Sequence, residues 1–267
     1  MSDLMRCALA FFRRDAALAL SYPLAFALGV LSTVGRVLVL WLPAQLLADS
    51  RLFAEHGGFL PYSVVGTSMM GLLMASYGGF AGAIRGEQAM GTLESVLMTP
   101  ATLPAVVIGS NLWTVGYALL DSLVTLGAGS LFFGLKFSGS PFGAGLVVLL
   151  TNLSFAAVGI LSASFTVVYK RGDPFRVVVG AASFLMGGVI YPAEVLPGWI
   201  QAIAQILPVT HGARTLRGIL IEGRDLSEFH FELLVLTAFA LVGIPLAILA
   251  FSRALRRAKR DGSLLQY

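Results

Sequence analysis

The chain has 267 residues, 57% of them hydrophobic and 12% charged, whereas a soluble domain carries roughly 25% charged residues, so the composition excludes one and points to an integral membrane protein. The net charge of +4 is accounted for by basic flanks of membrane helices and calls for no nucleic-acid partner. A single cysteine, Cys7, excludes an internal disulfide.

Residues 3–16 mix Leu4, Met5, Ala8, Phe11 and Phe12 with Asp3, Arg6, Arg13, Arg14 and Asp15, which predicts an N-terminal helix lying in the inner membrane interface. Tyr22-Pro23 is the expected joint to the first span, whose length exceeds the 7–15 apolar residues typical of a cleaved signal peptide, so this span is expected to be retained. Apolar runs able to cross ~30 Å of hydrocarbon, at ~20 residues each, lie at about 18–47, 59–84, 104–135, 141–169, 177–193 and 233–251. They are continuous, not alternating with period two, which excludes a transmembrane barrel. The expected fold class is all-α: a single polytopic transmembrane domain over 1–267 with six transmembrane helices.

Between the second and third runs lies a polar interruption from Arg85 to Pro100. Within it Leu93, Val96 and Leu97 fall at i, i+3 and i+4, while Thr92, Glu94 and Ser95 look elsewhere. Thr99-Pro100 stops the pattern, because a residue before proline disfavours the helical region. The reading is a short cytoplasmic helix over about 87–100, either docked on a soluble partner or lying on the inner leaflet.

A second departure from apolar monotony is the outer segment from Pro192 to Phe231. Trp199, Ile200, Ile203, Ile206 and Leu207 recur at near-helical spacing between Pro197 and Pro208, over too few residues to span a bilayer. Such a length suits a re-entrant or interfacial helix, and the re-entrant segment is taken as about 195–221. A second short helix over 210–221 would place His211, Arg214 and Arg217 at three-residue steps on roughly one face. His211 reads either as a hydrogen-bonded structural residue or as a proton-linked gate. Trp199, Tyr191 and Trp113 read as interfacial anchors ahead of the alternative, substrate platforms.

Lysine and arginine placement sets the orientation. With the N-terminus inside, inner segments hold Arg6, Arg13, Arg14, Arg85, Lys170, Arg171, Arg176, Arg253, Arg256, Arg257, Lys259 and Arg260, against Arg51, Lys136, Arg214, Arg217 and Arg224 outside. Both termini are therefore expected in the cytoplasm of a bacterial-type inner membrane. Two charged residues sit well inside a span, Arg36 in the first and Asp121 in the third. Each lies about 16 residues from its helix start, or ~24 Å of rise, so helices running the same way bring them to one depth. An ion pair, a substrate-facing role and local solvation are the three readings of these residues.

Catalysis finds no support. A P-loop needs Gly-Lys followed by Ser or Thr, and Lys136, Lys170 and Lys259 each follow a residue other than glycine. His56, His211 and His230 all fall in outer segments, and His-Glu-x-x-His is absent.

The run Glu87, Gly91-Thr92-Leu93-Glu94, Leu97 and Thr99-Pro100 resembles the pattern that follows the second span in permease subunits of ABC-2 type transporters. A second match is Tyr191-Pro192, Leu196-Pro197-Gly198-Trp199, Leu207-Pro208-Val209-Thr210-His211 and Arg214-Thr215-Leu216-Arg217. The order and spacing of the two motifs cover nearly the whole chain, although the acidic stretch before Gly91 is thin, with Glu87 beside Gln88. The resemblance implies an export permease for a drug, lipid or polysaccharide-like substrate. It further implies pairing with a second permease chain, identical or different, and drive from an ABC ATPase dimer that carries the ATP and Mg, this chain binding no cofactor. Residues 87–100 would be the coupling helix seated on the ATPase, and the segment holding Pro197, Trp199, Pro208 and His211 the outer gate. The competing reading is an ion- or proton-coupled secondary transporter acting without an ATPase; that class relies on several buried carboxylates, and Asp121 alone qualifies.

Overall fold

The computed structural model describes residues 2–47, 50–54, 56–89, 103–169 and 174–260. Among these the chain forms helices and no strand: α1 (Ser2–Leu20), α2 (Pro23–Leu46), α3 (Arg51–Ala54), α4 (Phe59–Ala89), α5 (Leu103–Phe133), α6 (Pro141–Tyr169), α7 (Pro174–Met186), α8 (Gly198–Ala204), α9 (Pro208–Leu220) and α10 (His230–Arg260), with 3₁₀ turns at Ala193–Val195 and Leu226–Phe229. Prolines open α2 and α9, where the missing N–H has no partner to lose. Gly134 stops α5 with a φ of 66°, a left-handed conformation that side chains with a Cβ disfavour.

Among the described residues five stretches are long and apolar enough to cross a membrane: Pro23–Leu46, Phe59–Phe80, Asn111–Phe133, Pro141–Thr166 and Leu226–Ala254. Two elements differ from the sequence reading. The run at 177–193 yields a helix that ends at Met186; at ~1.5 Å per residue its thirteen residues rise ~20 Å. Gly188 turns the chain with a φ of 66°, and a Cβ on Gly187 would sit 2.3 Å from both the Ser183 carbonyl oxygen and Val209 Cγ1. The second difference is at the end of α4, which continues through Arg85 to Ala89 instead of breaking near 84. No proline interrupts it there, and a lone Gly86 costs a long helix only about 1 kcal/mol. The rest of the predicted coupling helix lies outside the described residues.

Side-chain meetings give the direction of each helix. Phe26 and Gly29 meet Tyr117, Arg36 meets Asp121 and Trp41 meets Phe133, so α2 and α5 run the same way. Gly79 faces Asn111, Gly71 faces Asp121 and Val64 faces Gly129, so α4 and α5 are antiparallel. The Ser154 hydroxyl donates to the Leu236 carbonyl at 2.9 Å, and Gly243 packs on Ala157, so α10 runs parallel to α6. Between these two parallel helices the chain must return, and it does so through α7 and the turn at 187–192, with Gly180 near Met74 and Val189 against Gly66.

α4 is the central column. Its spanning stretch is 61% buried against 11% for α2 and 17% for that of α10, which leaves the last two as outer faces. Small residues permit the close approach: a Cβ on Gly159 of α6 would lie 2.3 Å from the Ser76 carbonyl oxygen of α4. Because interhelical hydrogen bonds of this kind contribute about 0.6 kcal/mol on average, Ser154→Ala is expected to lower the thermal midpoint of the detergent-purified chain only slightly.

Candidate functional site

Two polar centres stand out in this apolar bundle. The first lies along the α2–α5 contact. Arg36 Nη2 donates to Asp121 Oδ1 at 2.6 Å and reaches Thr33 Oγ1 at 3.0 Å. The Thr33 hydroxyl also donates to Asp121 Oδ1. Gly71 on α4 leaves room for the carboxylate, since a Cβ there would come within 3.2 Å of Asp121 Oδ2. The Asp121 side chain is 14% exposed and that of Arg36 56% exposed. The pair therefore shields the acid within the helix contact and presents the guanidinium on the open face of α2.

The second centre lies where α9 wedges between α4, α6 and α10. Arg217 is buried; its Nε donates to the Tyr62 carbonyl at 3.2 Å and its Nη2 to the Val189 carbonyl at 2.6 Å. The guanidinium also stacks 3.5 Å from the Tyr62 ring centroid, a cation–π contact that strengthens when water is excluded. The Tyr62 hydroxyl donates to the Gly188 carbonyl at 2.8 Å. Burial lowers the Arg217 pKa to about 10, with Tyr62 and Glu194 pulling it back up, so it stays charged at neutral pH.

Beside Arg217 is a cavity of about 60 Å³, lined among others by His56, Glu194, Thr210, Arg214 and Glu222. At ~15 Å³ per water it has room for a few. His56 Nδ1 lies 3.8 Å from Glu222 Oε1, Arg214 Nη1 lies 3.6 Å from Glu232 Oε1, and Arg224 joins Glu222 to Glu228. The arrangement ties the start of α4, the turn after α7 and α9 into one charged plug. Among the described residues no cluster of three or more metal-ligating side chains occurs.

The other residues singled out from sequence are placed as follows. Pro197 precedes α8, Trp199 on that helix is exposed and Pro208 opens α9. His211 is buried, its Nε2 2.8 Å from the Gln205 carbonyl and its ring edge-on to Phe231. His211 Nδ1 has no partner among the described residues. His211, Arg214 and Arg217 do not share a face: each three-residue step turns back ~60°, so the outer two diverge by ~120°, and Arg214 goes to Glu232 while Arg217 goes to Tyr62. Glu87 falls in the last turn of α4. Gly91, Thr92, Leu93, Glu94, Leu97, Thr99 and Pro100 lie outside the described residues. Tyr62 and the burial of Arg217 escaped sequence reading, although the apolar Leu216, Ile219 and Leu220 around Arg217 carry a signal for it.

A family model described as ABC-2 type transporter matches residues 9–221, from α1 through α9. The chain is 27% identical over 170 residues to nodulation protein J of Rhizobium meliloti (strain 1021), covering 63% of each chain. It is 24% identical over 155 residues to the probable multidrug ABC transporter permease YbhR of Escherichia coli (strain K12), covering 57% of this chain and 42% of that one. Inner membrane transport permease YadH of the same strain is 22% identical over 166 residues, 62% of this chain and 64% of its own. The match thus spans less than two thirds of the length of each of these relatives.

Proposed function

The chain belongs to the ABC-2 type transporter family, and on that premise we propose that it is the transmembrane permease subunit of an exporter, forming the pathway for a drug, lipid or polysaccharide-like substrate. A separate ATPase dimer, holding ATP and Mg, drives it. The observation that carries this reading is the extent of the family match, which takes in both the interruption after the second span and the α8–α9 segment.

The geometry supports a six-crossing arrangement. Because α10 runs parallel to α6, α7 and its turn form a return leg, and an even number of crossings puts both termini on one side. The basic flanks then favour the cytoplasmic side of the inner membrane. The α8–α9 segment, tied down by Arg217, acts as the outer re-entrant cap. The open faces of α2 and α10 support pairing with a second permease chain, identical or different. ATP-dependent closure of the ATPase dimer presses on the coupling helix at about 87–100 and shifts the population from inward to outward access. Secondary transport gains no support, since the Asp121 carboxylate is committed to Arg36 and Thr33.

The test is co-purification with an ABC ATPase encoded beside the gene, followed by ATP turnover of the complex with wild-type and Glu94→Arg chains. The wild-type complex is expected to survive purification, and the charge reversal to lower turnover several-fold. Absence of any ATPase association with the wild-type chain overturns the reading.

A further inference from the structure

α5 and α6 are joined by the short segment 134–140 and both pack on α4, yet they scarcely touch one another. The gap between them is a groove of about 650 Å³. Leu119 and Leu123 form one wall, Val148 and Leu149 the other, and Leu216 and Leu220 of α9 the floor. Leu123 and Leu149 are exposed at its rim, on stretches apolar enough to sit in a bilayer, so the groove opens sideways into lipid.

Its length and its polarity identify an occupant. The lining runs from Leu126 to Val115 along α5 and from Pro141 to Asn152 along α6, ~16 Å on each wall. This is about half of the ~30 Å hydrocarbon core, the depth of one leaflet. A spanning helix of a second copy would need the full thickness, whereas one acyl chain needs half. The membrane-surface end is marked by Phe137, which lines the groove, and by its exposed neighbour Lys136, with exposed Ser138 and Ser140 in the same loop. The deep end stops at Val115 and Asn152, with Ser122 partway down the α5 wall. A cation with two hydroxyls at the surface end, above an apolar slot one leaflet deep, is complementary to a phosphate headgroup with its chain below. Gly145 widens the wall, since a Cβ there would have no atom within 4 Å.

We propose that the α5–α6 groove is a phospholipid site, with one acyl chain between the helices and the phosphate on Lys136. The permease reading enters only in naming the leaflet, which is the outer one.

The full chain, reconstituted in vesicles of phosphatidylethanolamine and phosphatidylglycerol containing a phosphatidylglycerol with a diazirine on its acyl chain, is photolysed and its labelled peptides are mapped. Label is expected to concentrate on 115–126 and 141–152. Gly145→Phe, which fills open space, is expected to reduce it on the order of tenfold, equivalent to a tenfold weaker site. Lys136→Glu reduces it several-fold, and Leu241→Phe on the exposed face of α10 leaves it unchanged. Label spread evenly over α5, α6 and α10 overturns the proposal, as does labelling indifferent to Gly145→Phe. The wild-type map decides the matter even where a variant fails to fold. No ATPase is present, so a negative map leaves the permease reading standing and loss of ATPase association leaves the lipid site standing.

Discussion

Arg217→Ala is expected to destabilise the detergent-purified chain by about 3 kcal/mol or more, read as a lowered thermal midpoint and as faster proteolysis around α8 and α9. The side chain supplies donors to the Val189 and Tyr62 carbonyls and a cation to the Tyr62 ring. Its removal leaves a buried acceptor unpaired, at roughly 1–3 kcal/mol, and empties a packed site besides. Arg217→Lys is not expected to rescue, because a single ammonium cannot reproduce the planar fork that bonds two carbonyls and stacks on an aromatic face. Gly66→Ala reports on the same locus from the opposite side: its Cβ would fall 1.8 Å from the Val189 carbonyl oxygen and 2.5 Å from Arg217 Nη2. Arg214→Ala is the control, since its 3.6 Å pair with Glu232 is partly exposed and such pairs contribute about 1 kcal/mol or less. An Arg217→Ala chain that melts with the Arg214→Ala chain would remove the plug from its structural role.

The second large effect is expected at the α2–α5 contact. Asp121→Leu strands Arg36 without its counter-ion inside a spanning stretch, and Arg36→Leu leaves Asp121 with Thr33 alone. An intramembrane charge costs roughly 3 kcal/mol when unpaired, so each single variant should show a markedly lower folded yield and a lower thermal midpoint. Exchanging the two residues, Arg36→Asp together with Asp121→Arg, restores a pair across the same contact and should recover most of the loss. A double variant no better than the worse single one would show that the two charges act separately, Arg36 through its open face and Asp121 through Thr33.

Both loci show how far sequence reading reaches. Sequence spacing pointed Arg36 and Asp121 toward one depth, and their contact places them there, but α2 starts at Pro23 and α5 at Leu103, so it is the packing of the two parallel helices, and not equal distance from their starts, that sets the pair. Arg217 offered no such route. Spacing puts it three residues from Arg214, but whether a guanidinium faces water or two carbonyls depends on α4 and the turn at 187–192, which are distant in the chain.

The same division runs through the whole protein. Continuous apolar runs with proline and glycine at their margins determined by themselves that the chain is all-helical and membrane-embedded, and a run such as Pro141–Tyr169 has its ends marked in the residues. Those are local properties, set by hydrogen bonding within a segment and by the cost of exposing backbone to hydrocarbon. Only the tertiary structure decided that α7 ends at Met186, since Val189, Ile190 and Tyr191 continue the apolar composition while Gly188 and the seat of Val189 on Gly66 turn the chain. Only it decided that α5 and α6, neighbours in sequence, stand apart with a groove between them. Each packs against α4, and packing between distant segments is determined by the shapes that meet, which no single segment contains.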